Sequence, residues 1–220
     1  MFDKASFYIT DYSAYYSFSS NRASDSLEQK DITAYAEKSR RGYHIIHPFD
    51  TYYHLRESII KIAKEAGIKI KYHHSEVGLA GQEEIELERI ELLKVADAVF
   101  LLKHIIRNVA YQNNKFATFM PKPLYNLPGN GLHFHIQLIK DDENIFYDES
   151  KYASLSDIAI SFIVGILKHA PAITLFTNPS TNSSKRLVPG FEAPVKLFFG
   201  IANRSAAIRI PKYAVSTEEK

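Results

Sequence analysis

Asn178 to Pro211 reads NPSTNSSKRLVPGFEAPVKLFFGIANRSAAIRIP. Arg186, Arg204, Arg209 and a single glutamate, Glu192, stand there among Pro, Gly, Asn and Ser, a composition that builds polar loops rather than core. Arg186 follows Asn182, Ser183, Ser184 and Lys185 in one such loop, and Arg204 and Arg209 lie around the short strand pattern AAIRI. Arginine suits planar, bidentate recognition of carboxylate and phosphate, and it stays charged at any working pH. Gathered in one cleft, these side chains would stabilise charge that develops during phosphoryl transfer; dispersed, they are surface ion-pair partners. Glu192 lies in PGFEAP, where Pro189, Gly190 and Pro194 define a turn-rich loop able to hold one carboxylate over a site.

Upstream, two strand-like stretches offer further polar groups. In Leu132 to Ile139, His133, His135 and Gln137 alternate with Phe134, Ile136 and Leu138, so a strand here presents a polar wall on one side and a core face on the other. Two histidines at this spacing can ligate a metal, contact a nucleotide or simply be solvated. IKIKYH, Ile68 to His73, alternates as a strand that delivers Glu76, and Glu84 follows at an even interval, so both carboxylates can converge on one cation. The bland reading of Glu83, Glu84, Glu86 and Glu88 is an exposed charged strand. His73 and His74 are adjacent, so at most one faces such a site, and a packing role is the simpler reading.

Around these segments the organisation is that of a single domain. The 220 residues suffice for one substantial core. Leu55, Ile59, Ile60 and Ala63 recur at three and four residues after Thr51, with Asp50 as a cap and Gly67 as a stop, which predicts an amphipathic helix. Helical patterns also cover about 90–112 and 155–176. DDEN, Asp141 to Asn144, predicts a hairpin turn before Ile145 to Tyr147. Phe7 to Ile9 reads as a strand, and residues 13–41 as a long surface excursion. Strands and helices joined by hairpin-type turns point to α+β with a mainly antiparallel sheet.

Composition narrows the chemistry. A net charge of +2 argues against nucleic acid or an anionic membrane as partner. The chain has no cysteine, so a metal must be held by carboxylate, imidazole and water, which favours a hard divalent cation. MFDKASFYIT is not a signal peptide and no uninterrupted apolar stretch approaches the length of a span, so a soluble, cytoplasmic protein is expected.

Taken with HHSEVGLAGQEEIE (73–86) and FMPKPLYNLPGNGLHFHIQL (119–138), the Asn178–Pro211 segment closely resembles the catalytic domain of glutamine synthetase. The resemblance implies a curved, mainly antiparallel sheet backed by helices, with the active site as a funnel on its open face. It also implies ATP-dependent ligation of ammonia to the γ-carboxylate of glutamate through a γ-glutamyl phosphate, with Mg²⁺ or Mn²⁺ as cofactor and with large rings of subunits. By the same resemblance, Glu76, Glu84 and His133 would be metal ligands, while His135, Gln137, Arg204 and Arg209 would contact the nucleotide. Gly129, Arg186 and Arg204 would bind substrate. Glu192 would be a flap residue that closes over substrate and takes a proton from the incoming ammonium, with Arg204 as its catalytic companion on the transferred phosphate.

The pattern also departs from the family's. A Glu-x-Glu-Phe strand that supplies two metal carboxylates in relatives corresponds here to Lys4-Ala5-Ser6-Phe7. Pro128 stands where many relatives have asparagine, and Gln137 where some have serine. The family's small N-terminal domain and a later Glu and Arg motif have no counterpart. The reading is therefore of a catalytic region shortened at both ends, with low or no activity alone. Alternatives are a non-catalytic nucleotide-binding or assembly remnant, or a γ-glutamyl ligase that uses another amine.

Overall fold

The computed structural model describes residues 1–20, 41–78 and 81–211. In chain order the elements are β1 (Lys4–Ile9), β2 (Ala14–Ser19), α1 (Tyr53–Glu65), β3 (Ile70–Ser75), β4 (Glu83–Leu87), α2 (Leu92–Gln112), β5 (Ile139–Lys140), β6 (Glu143–Asn144), α3 (Asp157–Thr177), α4 (Thr181–Arg186), β7 (Lys196–Ile201) and β8 (Ala206–Ile210). They divide between two compact units, Met1–Phe119 with Pro123–Pro128, and Met120–Lys122 with Gly129–Lys220.

The first unit is organised by α1. Leu55, Ile59, Ile60 and Ala63 lie on one face of it, and all four are buried with Ile68 and Ile70 of the β3 segment and Leu102, Ile105 and Val109 of α2. The helix ends as the sequence predicts. Gly67 adopts φ 83°, its N–H bonds to the Lys64 carbonyl, and the Ile68 N–H bonds to that of Ala63. Its start differs, because Tyr52 is the N-cap residue and its side chain accepts no capping N–H. Asp50 is instead held by Arg56. Ile59 has no exposed surface, so Ile59→Val is expected to cost about 1 kcal/mol in a urea titration.

On α2 the buried stripe is Leu102, Ile105, Val109 and Ala110, while Leu93 and Phe100 are each 81% exposed. Leu102, Ile105 and Val109 of that stripe share the core cluster with α1. β1 and β2 form an antiparallel hairpin whose Phe7 and Phe18 meet Phe2 and Phe116. The tract expected as a surface excursion thus begins with a strand, and its residues 21–40 lie outside the described ones.

In the second unit, Asp141 and Asp142 take φ 51° and 63°, a two-residue turn with both central residues left-handed, and it closes the β5–β6 hairpin where DDEN predicts one. Ser156 caps α3 by accepting the Ala159 N–H at 3.2 Å. This helix passes through Lys168, His169 and Pro171 without ending, so it reaches spanning length although its apolar stretch is interrupted. Among the described residues it is the one helix long and apolar enough to cross a membrane, by length and composition alone. β7 pairs with α3 and, in parallel, with β8.

The expected single curved sheet is replaced, among the described residues, by separate two-stranded sheets, three antiparallel and one parallel. The stretch 132–138, read as a strand with a core face, is extended chain outside any ladder, and Phe134 and Ile136 are 59% and 53% exposed. Alternation gives a segment two faces, but burial of one requires a neighbouring strand to share its hydrogen bonds and a layer to pack on.

Candidate active site

In the first unit, β3 and β4 pair antiparallel with His74 opposite Glu84 and Ser75 opposite Glu83. Side chains alternate across a strand, so His74, Glu84 and, just beyond the end of β3, Glu76 fall on one face, while His73, Ser75 and Glu83 fall on the other. One ligand atom from each of His74, Glu76 and Glu84 lies within 4.8 Å of the others. The imidazole is 8% exposed, its Nδ1–H donates to the Ser75 carbonyl at 2.9 Å, and its Nε2 stands 3.8 Å from Glu84 Oε2. A ring nitrogen bonded to a carbonyl leaves the other as the ligand atom, the arrangement usual for metal-bound histidine. His44 stacks on this ring at 4.0 Å and Tyr43 meets it edge-on, which fixes its plane.

Burial pushes the Glu76 carboxyl above the usual carboxylate range, against the Val77 N–H that it accepts at 2.6 Å, and the neighbouring Glu84 raises it further. Two crowded carboxylates and an oriented imidazole are the donor set of a hard divalent cation, and they fit one. Gly42 makes room for the site. A Cβ there would stand 2.3 Å from the Glu76 carbonyl oxygen, and the Gly42 carbonyl accepts the Ser75 hydroxyl.

A second cluster, in the second unit, gathers most of the residues of the polar loops. Ser180 and Ser183 form a reciprocal cap that starts α4, and Arg186 ends it. The half-buried Arg186 donates to the carbonyls of Asn130, Phe191 and Glu192 at 3.4, 3.2 and 3.5 Å. Arg204, in the turn after β7, donates to both oxygens of Glu192 at 3.0 and 3.1 Å. Glu192 itself takes φ 53°. Two guanidinium groups therefore bracket one loop residue, Arg186 at its backbone and Arg204 at its carboxylate.

Gly129 lies beneath Arg186, where a Cβ would come within 2.2 Å of Arg186 Cδ and 2.3 Å of the Pro121 carbonyl oxygen. Gly129→Ala is expected to cost about 1–3 kcal/mol in a denaturant titration, because the backbone oxygen cannot give way. Lys122, to which the sequence assigned no chemistry, is 7% exposed. Its backbone is clamped by Asn182 at 2.7 and 2.9 Å, and its Nζ lies 4.0 Å above the Phe191 ring. Burial, helped by Arg186, lowers its pKa. It ties the segment before Gly129 to the loop that bears Glu192.

Other expected site residues stand elsewhere. His133 and His135 are exposed and Gln137 is half-buried on the extended stretch of the second unit. Arg209 is exposed on β8, opposite Gly200. Lys4 and Ser6 share a face of β1, opposite Ser19 and Ser17, with no carboxylate among the four. His74 was missed. Its even spacing from Glu76 was the available signal, but adjacency to His73 could not tell which of the two faced the site.

Residues 4–220 match the family model described as the glutamine synthetase catalytic domain. The chain is 49% identical over 177 residues to glutamine synthetase of Mycolicibacterium smegmatis, covering 80% of this chain and 37% of that protein. It is 44% identical over 209 residues to glutamine synthetase of Haemophilus influenzae, covering 95% of this chain and 43% of that one. A cryo-electron-microscopy structure of Plasmodium falciparum glutamine synthetase superposes on all of the chain with TM-score 0.85 at 34% identity, over 44% of its own length. A GmaS/ADP complex superposes on 80% of the chain and 42% of its own, with TM-score 0.68 at 26% identity. The chain belongs to the glutamine synthetase family, whose members are ATP-dependent ligases. It spans about 40% of the length of these curated relatives.

Proposed function

We propose that this chain is the catalytic region of an ATP-dependent ligase that joins ammonia to the γ-carboxylate of glutamate, working in the cytoplasm. The carrying observation is the bracket of Arg186 and Arg204 about Glu192 above Gly129. The γ-carboxylate attacks the terminal phosphorus of ATP, the bridging P–O bond breaks and ADP leaves. Ammonium then gives a proton to Glu192, and the ammonia formed attacks the γ-carbonyl carbon of γ-glutamyl phosphate, expelling phosphate. Arg186 holds the substrate carboxylate over Gly129, and Arg204, released from its pair with Glu192, holds the transferring phosphoryl group. His135, Gln137, Arg204 and Arg209 contact the nucleotide, and the ADP complex of the related GmaS supports a nucleotide as ligand.

A Mg²⁺ or Mn²⁺ ion, when bound, offsets the negative charge of the phosphates. Glu76 and Glu84 would hold it, with His74 added by the geometry described above. Ligands for a second ion of this kind do not fit at β1, where Lys4 and Ser6 occupy the family's carboxylate positions.

That substitution favours one alternative, a nucleotide-binding form that assembles with relatives without turning over. Incubation with ATP, glutamate, ammonia and Mg²⁺ or Mn²⁺ separates the two. ADP release that requires all four components supports the ligase; nucleotide binding without release assigns the remnant; absence of both overturns each. Release that depends on another small amine in place of ammonia assigns the remaining reading, which Pro128 beside Gly129 leaves open.

A further inference from the structure

Behind the cation-ready face of the β3–β4 hairpin lies a buried ionic cluster that the chemistry above does not use. Arg56, at the first turn of α1, is 2% exposed, and its partners Asp50 and Glu83 are 4% and 7% exposed. Its Nη2 donates to Asp50 Oδ2 at 2.5 Å and its Nη1 to Asp50 Oδ1 at 3.1 Å, a forked pair, while Nη1 also donates to Glu83. The remaining donor, Nε, reaches His73 Nδ1 at 3.1 Å. Because that nitrogen accepts, His73 Nε2 carries the proton donated to Glu57 at 2.8 Å.

The residues that Arg56 grips are the immediate neighbours of the site residues. His73 precedes His74 on β3, and Glu83 precedes Glu84 on β4. On a strand, fixing one side chain to the helix behind fixes the next to point forward, and a slip of one residue would send every side chain to the opposite face. Ile85, opposite His73, and Leu87 also lie on that rear face and pack on the core, but as apolar contacts they add no directional grip. Glu83 and His73 are polar, Ser75 is small and bonded to Gly42, and the ladder already carries a bulge between Ile70 and Tyr72. An apolar contact is non-directional, whereas a guanidinium that engages three partners at set angles has one arrangement.

We propose that Arg56 is a positioning residue for divalent cation binding: by gripping Asp50, Glu83 and His73 from behind the hairpin, it holds His74, Glu76 and Glu84 converged on the front. This rests on the cation reading given above. Arg56 touches neither the cation nor a substrate, and its effect passes through the register of two short strands.

The test is Mn²⁺ titration of the full 220-residue chain, followed by calorimetry and by the electron paramagnetic resonance of free Mn²⁺, alongside a melting curve for each variant. Arg56→Met is expected to weaken Mn²⁺ binding roughly 10- to 100-fold, the range for loss of a partner that orients ligands. Arg56→Lys keeps the charge but not the fork, and should fall between Met and the parent. Arg56→Met leaves two buried carboxylates unpaired and can fail to fold, so the triple variant Asp50→Leu/Arg56→Met/Glu83→Met is made with it. Removing all the buried charges together preserves stability in comparable ionic clusters, so this variant folds. It is expected to melt near the parent and still bind Mn²⁺ at least about 10-fold more weakly. Ile59→Val, destabilised but with the ion cluster intact, should bind as the parent does. A triple variant that folds and binds Mn²⁺ with parental affinity overturns the positioning role while leaving the cation site standing. A parent chain that binds no Mn²⁺ overturns the cation reading and the role of Arg56 with it.

Discussion

Glu84→Gln is expected to lower Mn²⁺ affinity by roughly 100-fold, the upper end of what loss of even an outer partner costs a metal site. The substitution is nearly isosteric and removes one charge and one hard oxygen donor. What remains is His74 and Glu76, a pair too sparse in oxygen to compete with the ion's hydration. The fold should hold. Glu84 is 36% exposed, and its nearest imidazole, at 3.8 Å, lies beyond hydrogen-bonding distance, so the melting temperature is expected to stay the same or rise as the crowding against Glu76 is relieved. Isothermal calorimetry with Mn²⁺ reads the first effect and a melting curve the second. Unchanged affinity in a folded Glu84→Gln variant would remove these residues from the metal site.

Arg186→Met should weaken glutamate binding by about 2 kcal/mol or more, some 30-fold, because it removes a half-buried cation from a carboxylate subsite. Two effects act together here. The guanidinium supplies the charge, and it also ties Asn130, Phe191 and Glu192 together through their carbonyls, so its loss frees the loop that carries the proton acceptor. Burial already lowers the pKa of Arg186, with Glu192 opposing, which marks a charge held partly out of water for a ligand to meet. Equilibrium dialysis with labelled glutamate measures the loss, and Arg209→Met, on exposed β8, serves as the contrasting variant whose effect falls on nucleotide binding instead. Equal glutamate affinities for the parent and Arg186→Met would sink the assignment.

Much of this protein could be read before any coordinates. Helix α1 was legible because Leu55, Ile59, Ile60 and Ala63 repeat at helical spacing and Gly67 supplies the left-handed stop. The β5–β6 turn was legible because two aspartates in succession tolerate the left-handed conformation such a turn requires. The polar loops left open whether Arg186, Arg204 and Arg209 gather or disperse; folding brings Arg186 and Arg204 to Glu192 in the second unit, while Arg209 is exposed on β8.

Other features were not legible, for reasons that can be named. The HxH stretch alternates well, yet it lies outside any ladder, because pairing belongs to two segments and cannot be written in one. His74 and His73 are alike as letters; which of them faces the carboxylates depends on the register of β3 against β4 and on Arg56 behind it. Lys122, between two prolines, carried no chemical role on its letter alone, and its burial over Phe191 accompanies the clamp of Asn182, sixty residues away.

Residue chemistry and local spacing were thus enough to say which groups this chain owns and which family it resembles, since side-chain type and short-range periodicity are written along the backbone. Which of those groups meet, at what distance and with which imidazole turned toward the carboxylates, was settled by contacts between segments far apart in the chain. Such contacts are selected by packing and ion pairing across the whole of a unit, and no window of neighbouring residues contains them.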